Sequence, residues 1–348
     1  MKKSFSIFIV LLALAFQPVQ AQGVSEGKVP FTYYLMTYFD GHGPMLEREN
    51  IRMAISRDAF HWRALNGDEP VLASDTIAAS QGIRDPFILR GAYGEYLIVG
   101  TDMYAARDGW GGPNPGIVLL RSDDLVHWTH HTVNLAEQFP KHFGQLLWMW
   151  APQVIYDRVA DKYLVYFTTK WRDSDYHTYY AYTDRAFTRF VTEPKVLFEA
   201  KYGCIDNDLI QGPDGLFHLF YKGNYKDAQG HETINGVQQA VAKRIRGPYV
   251  ENYVYIDPYA GSPSIEGPSC FKLNNSDQYM LMYDLFAVGR YEYQLSTDLK
   301  TWTRQTGEFT KDFYPRHGGV ISLTKEEAQR LAKAFPSENL DSMFVDVQ

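Results

Sequence analysis

Ser122-Asp123-Asp124-Leu125-Val126-His127-Trp128 is the stretch that decides the fold, because the chain repeats its pattern. In each copy an apolar strand leads into Ser or Thr and Asp, and an aromatic residue follows a few positions later. The copies end at aromatic residues that recur about every 60 residues, namely Trp62, Trp128, Phe190, Tyr249 and Trp302. The copy at Tyr249 is degenerate, but the spacing still predicts five copies of one structural unit.

A second series of motifs runs out of phase with the first. It consists of apolar strands that begin at or beside Asp85, Trp150, Asp206, Glu266 and His317. The first four are each followed by a turn and a second apolar strand, which is the pattern of a β-hairpin. Five units of about four strands each predict an all-β, five-bladed β-propeller. A β-sandwich is the alternative, and it would require five matched pairs of motifs to arise by coincidence.

The two series also predict how the ring closes. The copy at Trp62 has no inner strand before it, and the strand at His317 has no aromatic copy after it. One blade therefore combines outer strands from residues 31–66 with an inner strand from residues 316–323. The N-terminal strands then pair with the C-terminal inner strand, which leaves no free sheet edge. Residues 324–331 begin with a helix N-cap, which predicts a short C-terminal helix.

The N-terminus has the pattern of a secretory signal peptide. Lysines at positions 2 and 3 precede an apolar run over residues 5–16, and a small-residue cleavage site ends at Ala21. We expect residues 1–21 to be removed and residues 22–348 to form a single propeller domain, secreted or periplasmic. The apolar run is too short to span a bilayer comfortably, so we expect no membrane span after signal cleavage.

Composition narrows the class of partner. The 348 residues include 25 Tyr, 21 Phe and 7 Trp, an aromatic content typical of β proteins and of carbohydrate-binding surfaces. The net charge of −7 and the lack of a basic cluster argue against nucleic acid. Cys204 and Cys270 make neither a disulfide framework nor a metal motif, and we expect both to be buried thiols.

Three of the inner strands start with an acidic residue, at Asp85, Asp206 and Glu266. Burying charge is costly unless a site uses it. Inner strands of a propeller run roughly parallel around the axis, so their first residues gather at one mouth. Glycosidases use a pair of carboxyl groups, so carboxyl groups that converge on one site indicate sugar hydrolysis. Taken alone, Asp85-Pro86 also fits a simple turn. Asp208 is an alternative to Asp206 as the acid at this site, because alternation places both side chains on one face of the strand.

With these motifs the chain resembles glycoside hydrolase family 43 over nearly all of its mature length. The resemblance rests on five motifs in the family's order: RDPFIL at 84–89, WAPQVIYD at 150–157, IDNDLI at 205–210, EGPSCFKL at 266–273 and RHGGVI at 316–321. It implies a five-bladed propeller and an inverting glycosidase, either exo-acting or debranching. The family typically cleaves α-L-arabinofuranosides or β-D-xylosides, and some members cleave β-D-galactofuranosides or arabinan chains.

The resemblance also implies roles for individual residues. Asp85 matches the general base, Asp206 the acid that adjusts the pKa of the proton donor, and Glu266 the general acid. His317 matches a histidine near the axis that helps hold an ion in some members, so a structural calcium or halide ion is expected there, although a satisfied core histidine is an equal alternative. The chemistry requires no cofactor. A long segment precedes Asp85, which makes Asp40 a rival base, but a turn role for Asp40 is preferred.

Substrate contacts are expected from Trp150, Asp102 and Trp110. Trp148 and Trp150 precede the second inner strand and can stack on a sugar face, with packing within the blade as the alternative. Trp110 lies in a Gly- and Pro-rich stretch, residues 108–115, which we expect to form a rim or lid. The polar stretch 222–236 is a second candidate rim loop.

The sequence thus predicts a secreted inverting glycosidase that hydrolyses terminal α-L-arabinofuranosyl residues from plant polysaccharide side chains. Its partner is an arabinose- or xylose-containing polysaccharide or oligosaccharide. The alternatives are a β-D-xylosidase or β-D-galactofuranosidase on the same scaffold, or a catalytically inactive sugar-binding propeller. An interaction scaffold is a third option, and it predicts no acidic pocket.

Overall fold

The repeated sequence motif folds into the same turn in several places. In the computed structural model, the backbone N–H of Leu125 donates to the Ser122 hydroxyl at 2.9 Å, and the Asp124 carboxylate accepts two further backbone N–H groups. Such side-chain bonds satisfy the backbone where it leaves the strand. The same bonds recur at residues 56–62 and 296–302. Each copy therefore turns the chain back between the third and fourth strands of a sheet.

The structure describes residues 30–41, 44–226, 232–256, 265–305, 309–338 and 340–345. Within them the chain is built mainly of β-strands. In chain order the strands are β1 (Phe31–Asp40), β2 (Arg52–Ser56), β3 (Trp62–Ala64), β4 (Ile83–Arg90), β5 (Tyr96–Asp102), β6 (Gly116–Ser122), β7 (Thr129–Asn134), β8 (Trp148–Asp157), β9 (Lys162–Lys170), β10 (His177–Tyr182), β11 (Lys195–Phe198), β12 (Cys204–Gln211), β13 (Phe217–Lys226), β14 (Glu232–Ala242), β15 (Val250–Tyr255), β16 (Glu266–Lys272), β17 (Tyr279–Leu285), β18 (Arg290–Ser296), β19 (Thr303–Arg304) and β20 (Pro315–Thr324).

The strands form five antiparallel sheets of four strands each. Four sheets are consecutive in sequence, with orders β4-β5-β6-β7, β8-β9-β10-β11, β12-β13-β14-β15 and β16-β17-β18-β19. The fifth has the order β20-β1-β2-β3, so it joins the two ends of the described chain. The innermost strands contact one another in the circular order β4, β8, β12, β16, β20 and back to β4. The predicted five-bladed propeller is thereby confirmed.

Each of four inner strands carries a bulge at the same place. The ladder to the second strand of the blade is interrupted where Asp85, Ala151, Asp206 and Gly267 adopt φ of +52°, +45°, +53° and +59°. A bulge inserts an extra residue, bends the strand and changes the direction of the adjacent side chains. The fold therefore repeats one local distortion around the axis, and two of its four positions are acidic.

Short helices and turns connect the strands. The helices are α1 (Ala105–Asp108), α2 (Leu135–Gln138), α3 (Pro140–Phe143) and α4 (Lys325–Ala334), and 3₁₀ turns lie at Met45–Glu47, Asn66–Asp68, Ser74–Thr76 and Asp341–Phe344. Helix α4 starts with a capping box in which Thr324 and Glu327 satisfy each other's backbone N–H groups. Glu327 also forms an ion pair with Arg90 of β4, with a closest N···O distance of 2.6 Å. The C-terminal helix is thus tied to the neighbouring blade.

The core lies between adjacent blades. For example, buried side chains of β5 and β9 pack across one blade interface, including Leu97, Val99, Val165 and Phe167. Complete burial of such a side chain contributes about 1.5–3 kcal/mol. Cys204 and Cys270 are buried free thiols, as expected from the sequence.

Two of the sequence predictions concern a rim loop and a signal peptide. Residues 222–236, expected to be a rim loop, instead belong largely to the hairpin of β13 and β14, and only 227–231 lie outside the described residues. The alternating pattern there was too polar to be recognised as strand. The signal peptide at 1–21 also lies outside the described residues. Among those described, no helix has the length and apolar character that crossing a bilayer requires.

Candidate active site

Asp85 and Asp206, two of the three predicted acids, lie next to His317, and the third, Glu266, begins the strand that packs against this histidine. Asp85 lies near the start of β4, Asp206 near the start of β12, and Glu266 begins β16. His317 Nδ1 lies 3.5 Å from Asp85 Oδ1 and 3.9 Å from Asp206 Oδ2. The backbone N–H of Gly267, which follows Glu266, donates to Asp206 Oδ2 at 3.0 Å. The structure therefore brings the predicted acids together at one mouth of the ring.

The close approach of β16 and β20 requires glycine at position 267. A Cβ atom added there would lie 2.7 Å from the imidazole ring of His317, and the backbone has φ +59°. That conformation is unfavourable for residues with a Cβ. Gly267 therefore allows His317 to lie against the strand that carries Glu266.

Asp85 is held in its charged form. Thr101 of β5 donates its hydroxyl proton to Asp85 Oδ2 at 2.8 Å, and the same hydroxyl oxygen accepts the backbone N–H of Ala151 at 2.8 Å. Burial acts to raise the pKa of Asp85, but the contact with His317 and its positive charge outweigh burial, so this pKa lies below its ordinary value. Asp85 is therefore ionised at neutral pH.

The surroundings of Asp206 raise its pKa, in contrast to those of Asp85. Burial raises the pKa of Asp206 to about 6; the charges of Glu266 and Asp85 also raise it, while His317 lowers it. Asp208, its rival from the sequence, accepts the backbone N–H of Cys270, and burial raises its pKa to about 7. The bulge between the two aspartates gives them different partners, and it is Asp206 that contacts His317.

Two cations contact Glu266. Lys222 Nζ of β13 lies 2.8 Å from Glu266 Oε1, and Arg316 Nη2 lies 3.6 Å from Glu266 Oε2. Arg316 also pairs through Nε with the buried Asp284 of β17. The guanidinium of Arg316 lies 5.2 Å from the ring centroid of Phe286, a cation–π distance. Glu266 is thus fixed between cations from two other strands.

Aromatic residues form one wall beside the carboxyl groups. Trp150 packs edge to face with Trp110, with centroids 5.7 Å apart, and its indole N–H donates to Asn114 Oδ1 at 2.9 Å. Trp110 is 54% exposed, which fits its predicted place at a rim. Arg84 lies between the rings of Trp110 and Phe39, at 4.8 and 4.5 Å from their centroids. Arg84 thus joins this wall, whereas strict alternation directs it to the other side of the strand from Asp85.

Two other acidic candidates lie in structural positions. Asp102, expected to bind substrate, is buried at the end of β5, and its two carboxylate oxygens accept the backbone N–H groups of Ala79 and Ser80. Those bonds hold the chain before β4, so we assign Asp102 a structural role. Asp40, the rival base, lies 4.0 Å from Arg52 at the end of β1. Its position favours the turn role over the catalytic one.

Comparison with known proteins now identifies the family. A family model for domains related to glycosyl hydrolase family 43, described as a probable glycosyl hydrolase domain, matches residues 29–329. The chain belongs to this glycosyl hydrolase family. The resemblance inferred from the five motifs is confirmed.

Proteins similar to this glycosyl hydrolase carry the names of enzymes that act on different sugars. An α-L-arabinofuranosidase from Bifidobacterium longum is 25% identical over 294 residues, which are 74% of this chain. The chain spans only 27% of that relative's length. Among solved structures, an endo-1,4-β-xylanase and an endo-arabinase from Bacteroides thetaiotaomicron align with TM-scores of 0.54 each. They are 13% and 16% identical and cover 83% and 82% of this chain and 97% and 94% of their own. At that identity the two structures show the fold alone.

The ion expected near His317 stays a prediction, and the charges at the site oppose its direct binding to the imidazole. Asp206 and Asp85 raise the pKa of His317 to about 9 against the opposing effect of burial. A protonated imidazole offers no lone pair to a cation, and the adjacent carboxylates repel a halide. In the described part of the chain, no group of three or more His, Cys, Asp or Glu side chains has metal-binding geometry. No step below therefore depends on an ion.

Sequence reasoning missed several residues of the glycosyl hydrolase site. Thr101 and Lys222 lie in second strands of their blades, within apolar or polar runs that carry no distinguishing signal. Arg316 immediately precedes His317 at the start of an inner strand, and the other inner strands carry candidate site residues at that place. This shared position is the signal that could have identified Arg316.

Proposed function

We propose that this glycosyl hydrolase removes terminal α-L-arabinofuranosyl residues from plant polysaccharide side chains, with inversion at the anomeric carbon. The observation that carries the proposal is the contrast between two carboxyl groups that share His317. Asp85 has its pKa lowered and Asp206 has its pKa raised. Pairs of acids whose environments separate their pKa values mark acid–base chemistry.

In the proposed reaction, Asp85 is the general base. It takes a proton from a water molecule as that oxygen forms a bond to the anomeric carbon. The bond from the anomeric carbon to the leaving oxygen breaks, and Glu266 as general acid gives that oxygen a proton. Inverting enzymes separate these two carboxyl groups by roughly 6.5–9.5 Å to leave space for the water. Attack and departure on opposite faces of the sugar give inversion.

Asp206 adjusts the acid in this proposal. When ionised it places a negative charge next to Glu266, and like charges close together favour a protonated partner. Lys222 opposes this effect in the free enzyme, because its ammonium contacts Glu266 Oε1 at 2.8 Å. The proton given to the glycosidic oxygen comes from this carboxyl group. We therefore infer that bound substrate displaces Lys222 from Glu266.

Arabinose is proposed because the curated relative is an α-L-arabinofuranosidase. The endo-xylanase and endo-arabinase neighbours support only the shared fold. The deciding experiment compares hydrolysis of aryl α-L-arabinofuranoside, β-D-xyloside and β-D-galactofuranoside, with Glu266→Gln as the inactive control. We expect the arabinofuranoside to be cleaved fastest and the first product, observed by proton NMR, to have the inverted configuration. Faster cleavage of another glycoside, or retention, would contradict the respective part of the proposal.

The proposal includes export from the cytoplasm, based on the signal-peptide pattern of residues 1–21. N-terminal sequencing of the protein recovered from cells is the test. We expect the mature chain to start at Gln22. Recovery of a chain that starts at Met1 from the active fraction would refute processing at Ala21.

A further inference from the structure

One position recurs in the second strand of every blade. It is the residue that pairs with the inner strand just before the ladder of that blade is interrupted. In chain order this position holds Phe39, Thr101, Thr168, Lys222 and Asp284, whose ladder partners are Arg316, Arg84, Trp150, Ile205 and Glu266. We call the five second-strand residues the second-strand ring. Because their partners lie at the starts of the inner strands, the ring lies at the level of the carboxyl groups.

Each member of the second-strand ring contacts the inner strand of the next blade. The five contacts are Phe39 with Arg84 of β4, Thr101 with Ala151 of β8, Thr168 with Asn207 of β12, Lys222 with Glu266 of β16 and Asp284 with Arg316 of β20. The first is a cation–π contact at 4.5 Å, and the other four are hydrogen bonds or ion pairs. Every inner strand is therefore fixed near its start by a side chain of the preceding blade.

Two members of the second-strand ring are charged, and both lie next to Glu266. Lys222 Nζ lies 2.8 Å from Glu266 Oε1, and Asp284 is the ladder partner of Glu266. Asp284 is 1% exposed, and its Oδ2 accepts the Nε–H of Arg316. Nη2 of the same guanidinium lies 3.6 Å from Glu266 Oε2. Arg316 thus bridges the buried Asp284 and the proposed acid.

The charge of Asp284 changes what Arg316 does to Glu266. A guanidinium without a counter-charge favours the ionised form of a neighbouring carboxyl group. An ionised carboxyl group cannot donate a proton to a leaving oxygen. With Asp284 as its counter-charge, the planar fork of Arg316 can orient the carboxyl group of Glu266 while much of its own charge is balanced.

We propose that Asp284 is a positioning residue for the general acid, because through Arg316 it orients Glu266 and keeps it able to give a proton. The inference rests on the proposed function, since it takes Glu266 as the acid. Thr101 holds the equivalent position beside the base, and its hydroxyl donates to Asp85 Oδ2 at 2.8 Å. Thr168 holds it in the blade of β8, whose inner strand carries none of the three predicted acids. The second-strand ring therefore offers three variants at one structural position with different expected effects.

The test compares two leaving groups in each variant, on 4-nitrophenyl and benzyl α-L-arabinofuranoside. Both leaving groups carry one aromatic ring, but nitrophenolate is a stable anion, whereas benzyl alcohol must receive a proton as it leaves. A defect of the acid therefore slows the benzyl glycoside more. For Asp284→Asn we expect the ratio of kcat/KM values, benzyl over nitrophenyl, to fall about tenfold, which corresponds to about 1.4 kcal/mol. A purely structural role for Asp284 would lower both values by the same factor.

The other members of the ring are the matched controls. Thr101→Val removes a bond to the base, and both substrates need the base, so both kcat/KM values should fall and their ratio should stay unchanged. Thr168→Val should also leave the ratio unchanged. Glu266→Gln removes the acid itself and should lower the ratio more than Asp284→Asn does. If Asp284→Asn does not fold, as judged by circular dichroism, Arg316→Lys replaces it, because a single ammonium group cannot bridge both carboxylates as the guanidinium does.

An unchanged ratio in folded Asp284→Asn, or in Arg316→Lys where that variant replaces it, overturns the inference. An equal fall of the ratio in Thr168→Val overturns it as well, because the effect would then not depend on the acid. If Glu266→Gln leaves the ratio unchanged, the acid assignment in the proposed function fails and the inference fails with it. If the wild type cleaves no arabinofuranoside, only the proposed sugar is wrong, and the same ratio is measured with 4-nitrophenyl and benzyl β-D-xyloside.

Discussion

The backbone N–H of Gly267 donates to Asp206 Oδ2 at 3.0 Å, which connects the strand that carries Glu266 to the aspartate beside it. The bond crosses between two blades, because Asp206 lies on β12 and Gly267 on β16. A carboxylate can accept several such bonds, so Asp206 can contact His317 at the same time. The proposed modulator is thus tied to the main chain of the strand that carries the proposed acid.

Replacing Asp206 by Asn should impair the acid. Asn keeps an oxygen for the Gly267 N–H but removes the charge beside Glu266, so the acid loses its proton at lower pH. We expect kcat/KM to fall about 100-fold and the alkaline limb of its pH profile to move down by about one unit. Asp208→Asn is the matched control, and it should leave that limb in place. An equal shift in both variants would assign the effect to general loss of buried charge.

Asp85→Asn should nearly abolish turnover, by about 1,000-fold or more, because the amide cannot accept a proton from water. Thr101 can still donate to the Asn oxygen, so the melting temperature should change little. Asp40→Asn provides the comparison, and we expect it to keep most of the activity. Steady-state kinetics on an aryl α-L-arabinofuranoside measures both. If Asp40→Asn is the inactive variant, the base assignment is wrong.

His317 should make stability depend on pH in a defined window. Its folded pKa of about 9 lies above the ordinary 6.5, so its contribution is complete below pH 6.5 and is lost as pH rises through 9. That contribution is at most about 3.4 kcal/mol. In His317→Gln the free energy of unfolding, from urea titrations between pH 6 and 9.5, should lack this fall.

His218→Gln is the control for this prediction. His218 is also buried, but burial lowers its pKa, so it contributes no fall in stability between pH 6.5 and 9. The control should therefore keep the wild-type fall over that range. Parallel pH curves for wild type and His317→Gln would show that the imidazole is not protonated in the folded enzyme.

The ion pair between Arg90 and Glu327 should contribute strongly to stability. The Arg90 guanidinium donates to both carboxylate oxygens of Glu327 and to the carbonyl oxygen of Ser322, and both side chains are largely buried. Glu327→Gln leaves the Arg90 charge without its partner, so we expect unfolding to become easier by about 3 kcal/mol in urea denaturation. Arg121→Ala breaks an exposed pair and should cost less than about 1 kcal/mol.

The fold could be predicted from sequence because its signal is repeated. One strand with an acidic start is ambiguous, but five motifs at blade spacing, each paired with a copy of the turn that ends in an aromatic residue, specify the same architecture. The circular order of the inner strands then follows from the chain order. Misassignment occurred where a blade departs from the pattern, as in the polar hairpin of β13 and β14.

The details of the site were harder to predict, for a physical reason. Alternation gives the direction of a side chain only while the ladder is regular. Bulges at Asp85 and Asp206 break that rule, and Arg84 and Asp208 consequently face partners that alternation does not indicate. Thr101 and Asp102 are adjacent in β5, yet one supports the proposed base and the other anchors a loop. Only the three-dimensional arrangement separates them.

His317 lies on β20, which is synthesised after every other strand of the propeller. A growing chain that has made only the first four sheets therefore contains Asp85, Asp206 and Glu266, but not the imidazole to which two of them pair. Until the ribosome delivers that final strand, these acids have no shared counter-charge and the seam with β1 stays open. In the proposed mechanism the site is consequently completed in one late step of biosynthesis, and we expect prematurely terminated products to be inactive.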